Sequence, residues 1–155
     1  MLALGCAGLG YAELARRLIE RLPMAVAHEE LPYAAYAERL AACDFFVCPF
    51  PYGNMNSIVD AALVGLPGVC LDGAEAHAHA DAAYFRRMGF PDSLITATPD
   101  DYVAAIVRLT DDDDWRAHCR QIAASVTPAH PFFAGDATRF ADAVAELIDG
   151  AVSVA

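Results

Sequence analysis

Lysine is absent from this 155-residue chain. Its ten basic residues are all arginine, set against twenty-one acidic ones, so the formal net charge is −11. A field of that sign opposes nucleic acid and anionic lipid surfaces, and any anionic ligand must be held by local groups. The five cysteines (Cys6, Cys43, Cys48, Cys70, Cys119) are scattered, odd in number and without a CxxC pair. They read as reduced thiols, mostly in the core, and their spacing does not suit zinc. No apolar run reaches the roughly 18 to 20 residues of a membrane span. The opening Met1-Leu2-Ala3-Leu4-Gly5 lacks a basic n-region and a long apolar stretch, so no secretory signal is expected and a cytoplasmic location is. There is no internal repeat and no low-complexity linker.

What is present fits a well-buried α/β interior: 57% hydrophobic residues and a mean hydropathy of +0.32. The length suits one domain with a real core. The expectation is a single, partial domain over 1–155, with 112–155 as C-terminal helices. Segments alternate in the βα manner. Short apolar runs at Leu2 to Leu4, Met24 to Ala27, Asp44 to Cys48, Pro67 to Leu71 and Leu94-Ile95 predict strands. The runs at 44–48 and 67–71 are continuous, as in a sheet covered on both faces. Helical periodicity or boundary signals predict helices over Tyr11 to Leu22, Tyr33 to Ala42, Ser57 to Val64, Glu75 to Met88, Pro99 to about Leu109, Trp115 to Val126 and Ala137 to Ile148. Gly65 and Gly89 stand where left-handed stops are cheap. The run Asp111 to Asp114 reads as a solvated helix junction. The whole predicts a Rossmann-like, doubly wound parallel sheet with ligands at the carboxyl ends of its strands.

Two stretches compete as anion sites. Gly5-Cys6-Ala7-Gly8-Leu9-Gly10 precedes a helix, but its spacing is G-x-x-G-x-G, not the G-x-G-x-x-G that lets a backbone approach a pyrophosphate. Glu29 and Glu30 lie near the distance of a ribose-binding acid, yet they follow His28 in what reads as a loop. A flexible turn is the better reading. The second stretch, Cys43-Asp44-Phe45-Phe46-Val47-Cys48-Pro49-Phe50-Pro51-Tyr52-Gly53-Asn54-Met55-Asn56-Ser57-Ile58-Val59-Asp60, runs from strand through a Pro/Gly turn to a helix start. Asn54 or Asn56 can cap that helix, leaving the N–H groups of Ser57 and Ile58 to meet an anion. Asp60 follows Asn56 at i+4 on the same helical face, and a carboxylate there can accept from a sugar diol. Ordinary capping and helix-dipole roles would explain the same residue types. His77 and His79, two apart at a helix start, point to different faces and do not suggest a shared metal.

The region from about His28 to Leu109 resembles the bacterial cytoplasmic N-glycosyltransferases that modify adhesins, relatives of the O-GlcNAc transferases in glycosyltransferase family 41. The resemblance is carried by Leu31-Pro32-Tyr33, by Cys43 to Phe46 and by Pro49 to Asp60. It continues through Gly65 to Cys70, then Gly73-Ala74-Glu75-Ala76-His77-Ala78-His79-Ala80-Asp81, and Phe85 to Pro91. It implies the C-terminal, nucleotide-sugar-binding half of a GT-B glycosyltransferase that takes UDP-glucose or UDP-GlcNAc and modifies protein Asn, Ser or Thr with inversion. It further implies Asn56 at the donor diphosphate, Ser57 with its hydroxyl on phosphate, and Asp60 on the ribose hydroxyls. Gly53 and Asn54 of the turn, with His77 or His79, are candidates beside the donor. GT-B enzymes generally use no catalytic metal, so none is expected, and no catalytic residue is assigned.

The chain departs from that pattern in ways that bear on activity. The lysine with which the family meets the diphosphate has no counterpart, and no basic residue occurs between Arg39 and Arg86. A helix N-terminus alone offers about half a charge. A family histidine before the Pro-Tyr pair is Glu30 here, with His28 displaced by two. The domain that supplies the acceptor surface and a candidate base has no counterpart either. The expectation is therefore a truncated, split or excised glycosyltransferase with little or no transfer activity alone. Its partners would be a missing N-terminal half or a second copy. The rival readings are a non-catalytic remnant or interaction module, and a GT-B enzyme with a lipid or small-molecule acceptor.

Overall fold

The computed structural model describes residues 2–5, 11–28 and 31–152. Cys6, the remainder of the glycine-rich turn (7–10), and Glu29 and Glu30 lie outside the described residues. The chain divides into two compact units, 1–42 and 43–155.

The first unit is a βαβ arrangement followed by a helix. Strand β1 (Leu2–Gly5) pairs in parallel with β2 (Ala25–His28), in register from Leu2↔Ala25 to Gly5↔His28. Parallel neighbours require a crossover, supplied by α1 (Tyr11–Arg21). Glu13 is salt-bridged to both Arg16 and Arg17 on the exposed face of α1, and Arg16 also reaches Glu20. Helix α2 (Tyr33–Ala41) follows Pro32, whose φ of −52° already suits a helix entry.

The second unit holds a three-stranded parallel sheet in the order β3-β4-β5. Its elements are β3 (Phe46–Val47), α3 (Asn56–Leu63), β4 (Gly68–Leu71), α4 (His79–Met88), β5 (Ile95–Thr96), α5 (Pro99–Asp111), α6 (Asp113–Ala124) and α7 (Ala137–Val152). The expected α/β class with parallel strands is what the chain adopts. The strand expected over 44–48 pairs more briefly, because β4 begins only at Gly68. Still, Phe46 N donates to Pro67 O and Cys48 N to Val69 O, each at 2.9 Å. The helix expected from Glu75 opens instead as one 3₁₀ turn, Ala76–Ala78, before α4 proper.

Local chemistry sets the remaining boundaries. Gly65 (φ +72°) and Gly89 (φ +79°) end α3 and α4 in left-handed conformations, where a Cβ would be strained. Thr98 caps α5 by accepting from Asp101 N, and Asp112 caps α6 by accepting from Trp115 N at 2.8 Å. The acidic run is thus a helix junction: Asp111 ends α5, Asp112 caps α6, and Asp113 pairs with Arg116.

Ile58, Leu66, Val69, Phe85, Met88, Leu94 and Leu109 are fully buried around the sheet. The Phe46 ring lies directly over Gly68, its cross-strand partner, where any Cβ would collide with it. The same ring meets Phe85 edge-on at 5.9 Å. Truncating a side chain like Phe85 to Ala costs about 3 to 5 kcal/mol. Cys48, Cys70 and Cys119 are buried free thiols and Cys43 is half-buried. Burial pushes the Cys70 thiol up to about 12 and Cys119 up to about 11, away from thiolate chemistry. Among the described residues, no helix is long and apolar enough to cross a membrane. No group of three or more His, Cys, Asp or Glu residues among them is placed to hold a metal ion.

Candidate functional site

Two loops meet at the carboxyl ends of β3 and β4. The first is the turn Pro49 to Met55, which passes through a cis Phe50–Pro51 peptide. Gly53 closes it by donating from its N–H to Pro49 O at 2.9 Å. Tyr102, on α5, braces its start: the buried phenol donates to Cys48 O at 2.7 Å, and the ring packs edge-on against Phe50 at 5.5 Å. Burial, with help from neighbouring acidic groups, raises the Tyr102 pKa, so the phenol stays a donor.

The second is the 3₁₀ turn Ala76–Ala78, which together with the first turn of α4 reaches the first loop at two places. His77 stacks on Tyr52, with centroids 5.0 Å apart and planes 25° apart. Asp81, on the first turn of α4 and only 2% exposed, accepts from Asn54 N at 2.9 and 3.1 Å and from Met55 N at 3.0 Å. Gly53 leaves room for this carboxylate; a Cβ there would stand 2.6 Å from Asp81 Oδ1. The Cys48 thiol beside it is held far above its usual range, first by burial and then by the Asp81 charge.

This geometry corrects one expectation. Neither Asn54 nor Asn56 caps α3 with its side chain; Met55 occupies the cap position, with φ +31° and no side-chain hydrogen bond. The N–H groups of Ser57 and Ile58 are not turned outward. They donate to Asn54 O (2.9 Å) and Met55 O (3.1 Å). Positive φ at Gly53 and Met55 winds the turn back so that its carbonyls meet the first helical amides. The amides of Asn54 and Met55 already have an anion, and it is internal.

The expected site residues separate accordingly. Gly53 and Asn54 are half-buried in the braced turn; Asn56 is exposed; Ser57 and Asp60 are half-buried on the first turns of α3. Among the described residues nothing accepts from Asn56 N–H. His77 and His79 diverge, as their spacing predicts. His79 Nδ1 lies 2.5 Å from Asp72 Oδ1, just past β4, and Arg86 Nη2 donates to Asp72 Oδ2 at 2.7 Å. Burial pushes the Asp72 carboxyl up, but the hydrogen bonds from Arg86 and then His79 outweigh it and hold the group below its usual range. The first arginine after Arg39 is therefore committed to Asp72.

Asp72, Asp81 and Tyr102 carry this architecture and received no role from sequence reasoning. Asp81 had a legible signal. It is an acid amid alanines, with no arginine at i±3 or i±4 to pair with. An acid so placed on a buried helix face needs backbone donors.

No protein-family model matches the chain. Over 112 residues, 72% of its length, it is 42% identical to the UDP-glucose:protein N-beta-glucosyltransferase of Actinobacillus pleuropneumoniae serotype 5b, with the same figures for the serotype 7 protein. The chain is homologous to a segment of these glucosyltransferases. It spans 18% of their length. Among solved structures it is similar to a Lys-to-Met mutant of the Thermobaculum terrenum O-GlcNAc transferase, with a TM-score of 0.72 and 21% identity. That match covers 83% of this chain and 27% of the other. The likeness establishes the fold, a part of the α/β architecture of GT-B transferases. The relationship expected from the PFPYGNMNSIVD and EAHAHAD strings is the one found, to protein glycosyltransferases.

Proposed function

We propose that this chain is the UDP-sugar-binding part of a protein glycosyltransferase, taking UDP-glucose or UDP-GlcNAc for transfer to Asn or Ser/Thr side chains. The observation that carries the reading is the 42% identity over 112 residues to UDP-glucose:protein N-beta-glucosyltransferases. The site is compatible in chemistry. Asn56 offers an exposed side chain and an N–H with no acceptor among the described residues, at the start of a helix whose dipole favours a phosphate. Ser57 adds a hydroxyl beside it, and Asp60, one turn on, would accept from the ribose diol. Exposed His77, on Tyr52, borders the same turn.

Transfer by this chain alone would be weak or absent, because it has no lysine and Arg86 is held by Asp72. Calorimetric titration of UDP and UDP-glucose, beside Asn56→Ala and Asp60→Ala, tests the donor site. Sub-millimolar binding by the native chain and roughly tenfold weaker binding by each variant are expected. No heat of binding at millimolar UDP would sink the reading. An Asn-x-Ser/Thr peptide assay tests completeness, and glycosylated product from the chain alone would overturn it. A second reading, a non-catalytic interaction module, draws on the exposed Phe140, Leu147 and Ile148 of α7. Absence of UDP binding together with concentration-dependent self-association in sedimentation would favour it.

A further inference from the structure

We infer that Asp81 is a positioning residue for the donor site: its buried carboxylate sets the Gly53–Met55 backbone and so fixes where Asn56 meets a phosphate. The inference rests on the donor-site reading above and goes beyond it to a residue in another element. Asp81 has no cationic partner in its hydrogen bonds; it is held by two consecutive backbone amides. Those amides immediately precede Asn56, so the peptide that delivers Asn56 N–H is anchored at its near end. The anchored conformation is also one the chain would not choose unaided. Met55 sits at φ +31°, uncommon for an unbranched L side chain outside glycine, and Gly53 at +70° abuts the carboxylate.

Charge sorting follows from the same bonds. A phosphate arriving at this turn cannot use the Asn54 and Met55 amides, because Asp81 already fills them. It is left with Asn56 N–H, the Asn56 side chain, the Ser57 hydroxyl and the helix dipole. An internal anion at one end of the turn thereby directs an external anion to the other end. A site held within a few tenths of an ångström by such supporting bonds loses affinity when they loosen.

The test compares Asp81→Asn with Leu109→Val, a fully buried position in α5 away from the turn. UDP affinity is measured for the folded fraction, well below each variant's melting temperature. A purely structural role would lower the melting temperature in both and leave affinity unchanged in both. The positioning role predicts roughly tenfold weaker UDP binding for Asp81→Asn alone, with partial recovery in Asp81→Glu. Should Asp81→Asn fail to fold, Gly53→Ala keeps the carboxylate but displaces it, and several-fold weaker binding is expected there too. UDP affinity within about twofold of native in the folded variant would overturn the inference and leave the donor reading standing. No UDP binding by the native chain would remove both.

Discussion

Asp72 and Asp81 flank the same 3₁₀ turn, and their surroundings give them opposite kinds of work. Asp81 is 2% exposed and its partners are backbone amides, which cannot swing away. Asp72 has a side chain 19% exposed, and its partners His79 and Arg86 are long side chains more than half exposed. Bonds to fixed amides specify geometry, and losing them leaves part-buried donors without their acceptor. Bonds to mobile cations adjust charge, and water replaces much of what is lost. One acid therefore shapes the turn, while the other ties the end of β4 to α4.

Removing each acid in turn is the strongest way to break this contrast. Asp81→Ala removes the acceptor of two part-buried amide donors and should destabilise the second unit by about 1 to 3 kcal/mol. Asp72→Ala leaves solvated partners and should cost no more than about 1 kcal/mol. Urea unfolding followed by fluorescence of Trp115, in the second unit, measures both. Equal losses would mean that burial does not separate the two acids.

Acid titration sharpens the contrast at smaller amplitude. Because its partners hold Asp72 below the ordinary carboxylate value of 3.8, the folded state takes up that proton less readily than the unfolded chain does. Its stabilisation is thus complete above about pH 5 and fades as pH falls through the lowered folded value. Unfolding curves for native chain and Asp72→Asn should differ near neutral pH and converge at pH below that value. A difference that persists undiminished in acid would show that Asp72 acts by packing, not by charge.

Much of this organisation could be read in advance, and the reasons are specific. Gly65 and Gly89 announced the ends of α3 and α4 because a left-handed stop has few alternatives. The continuous apolar run Pro67 to Leu71 announced the buried strand found at Gly68–Leu71, because both its faces are covered. The PFPYGN turn was located by its proline and glycine content, but its hydrogen bonds were not. Asn54 and Asn56 look like caps to any local reading. The group that holds the turn is Asp81, in another helix, and periodicity carries no information about such a partner. Likewise Arg86 reads as an exposed helical arginine until β4 and α4 are packed, when Asp72 comes within 2.7 Å. Local rules located the turn, but long-range pairing decides which of its amides remain available.

The smallest expected effect concerns the two side chains that donate to Asp72. The Arg86 guanidinium is the stronger of the two groups that lower its titration, and His79 is the weaker. In His79→Gln the carboxyl keeps the arginine and gains at most a neutral donor. Its titration midpoint, followed by carbon-13 carboxyl NMR, should rise relative to native yet remain below 3.8. Removing Arg86 instead, as Arg86→Gln, should raise it further, since the guanidinium makes the larger contribution to holding the carboxyl down. If His79→Gln moved the midpoint more than Arg86→Gln, the imidazole would be the principal clamp. The contrast with the amide-held Asp81 would then turn on the exposed imidazole and not on the guanidinium.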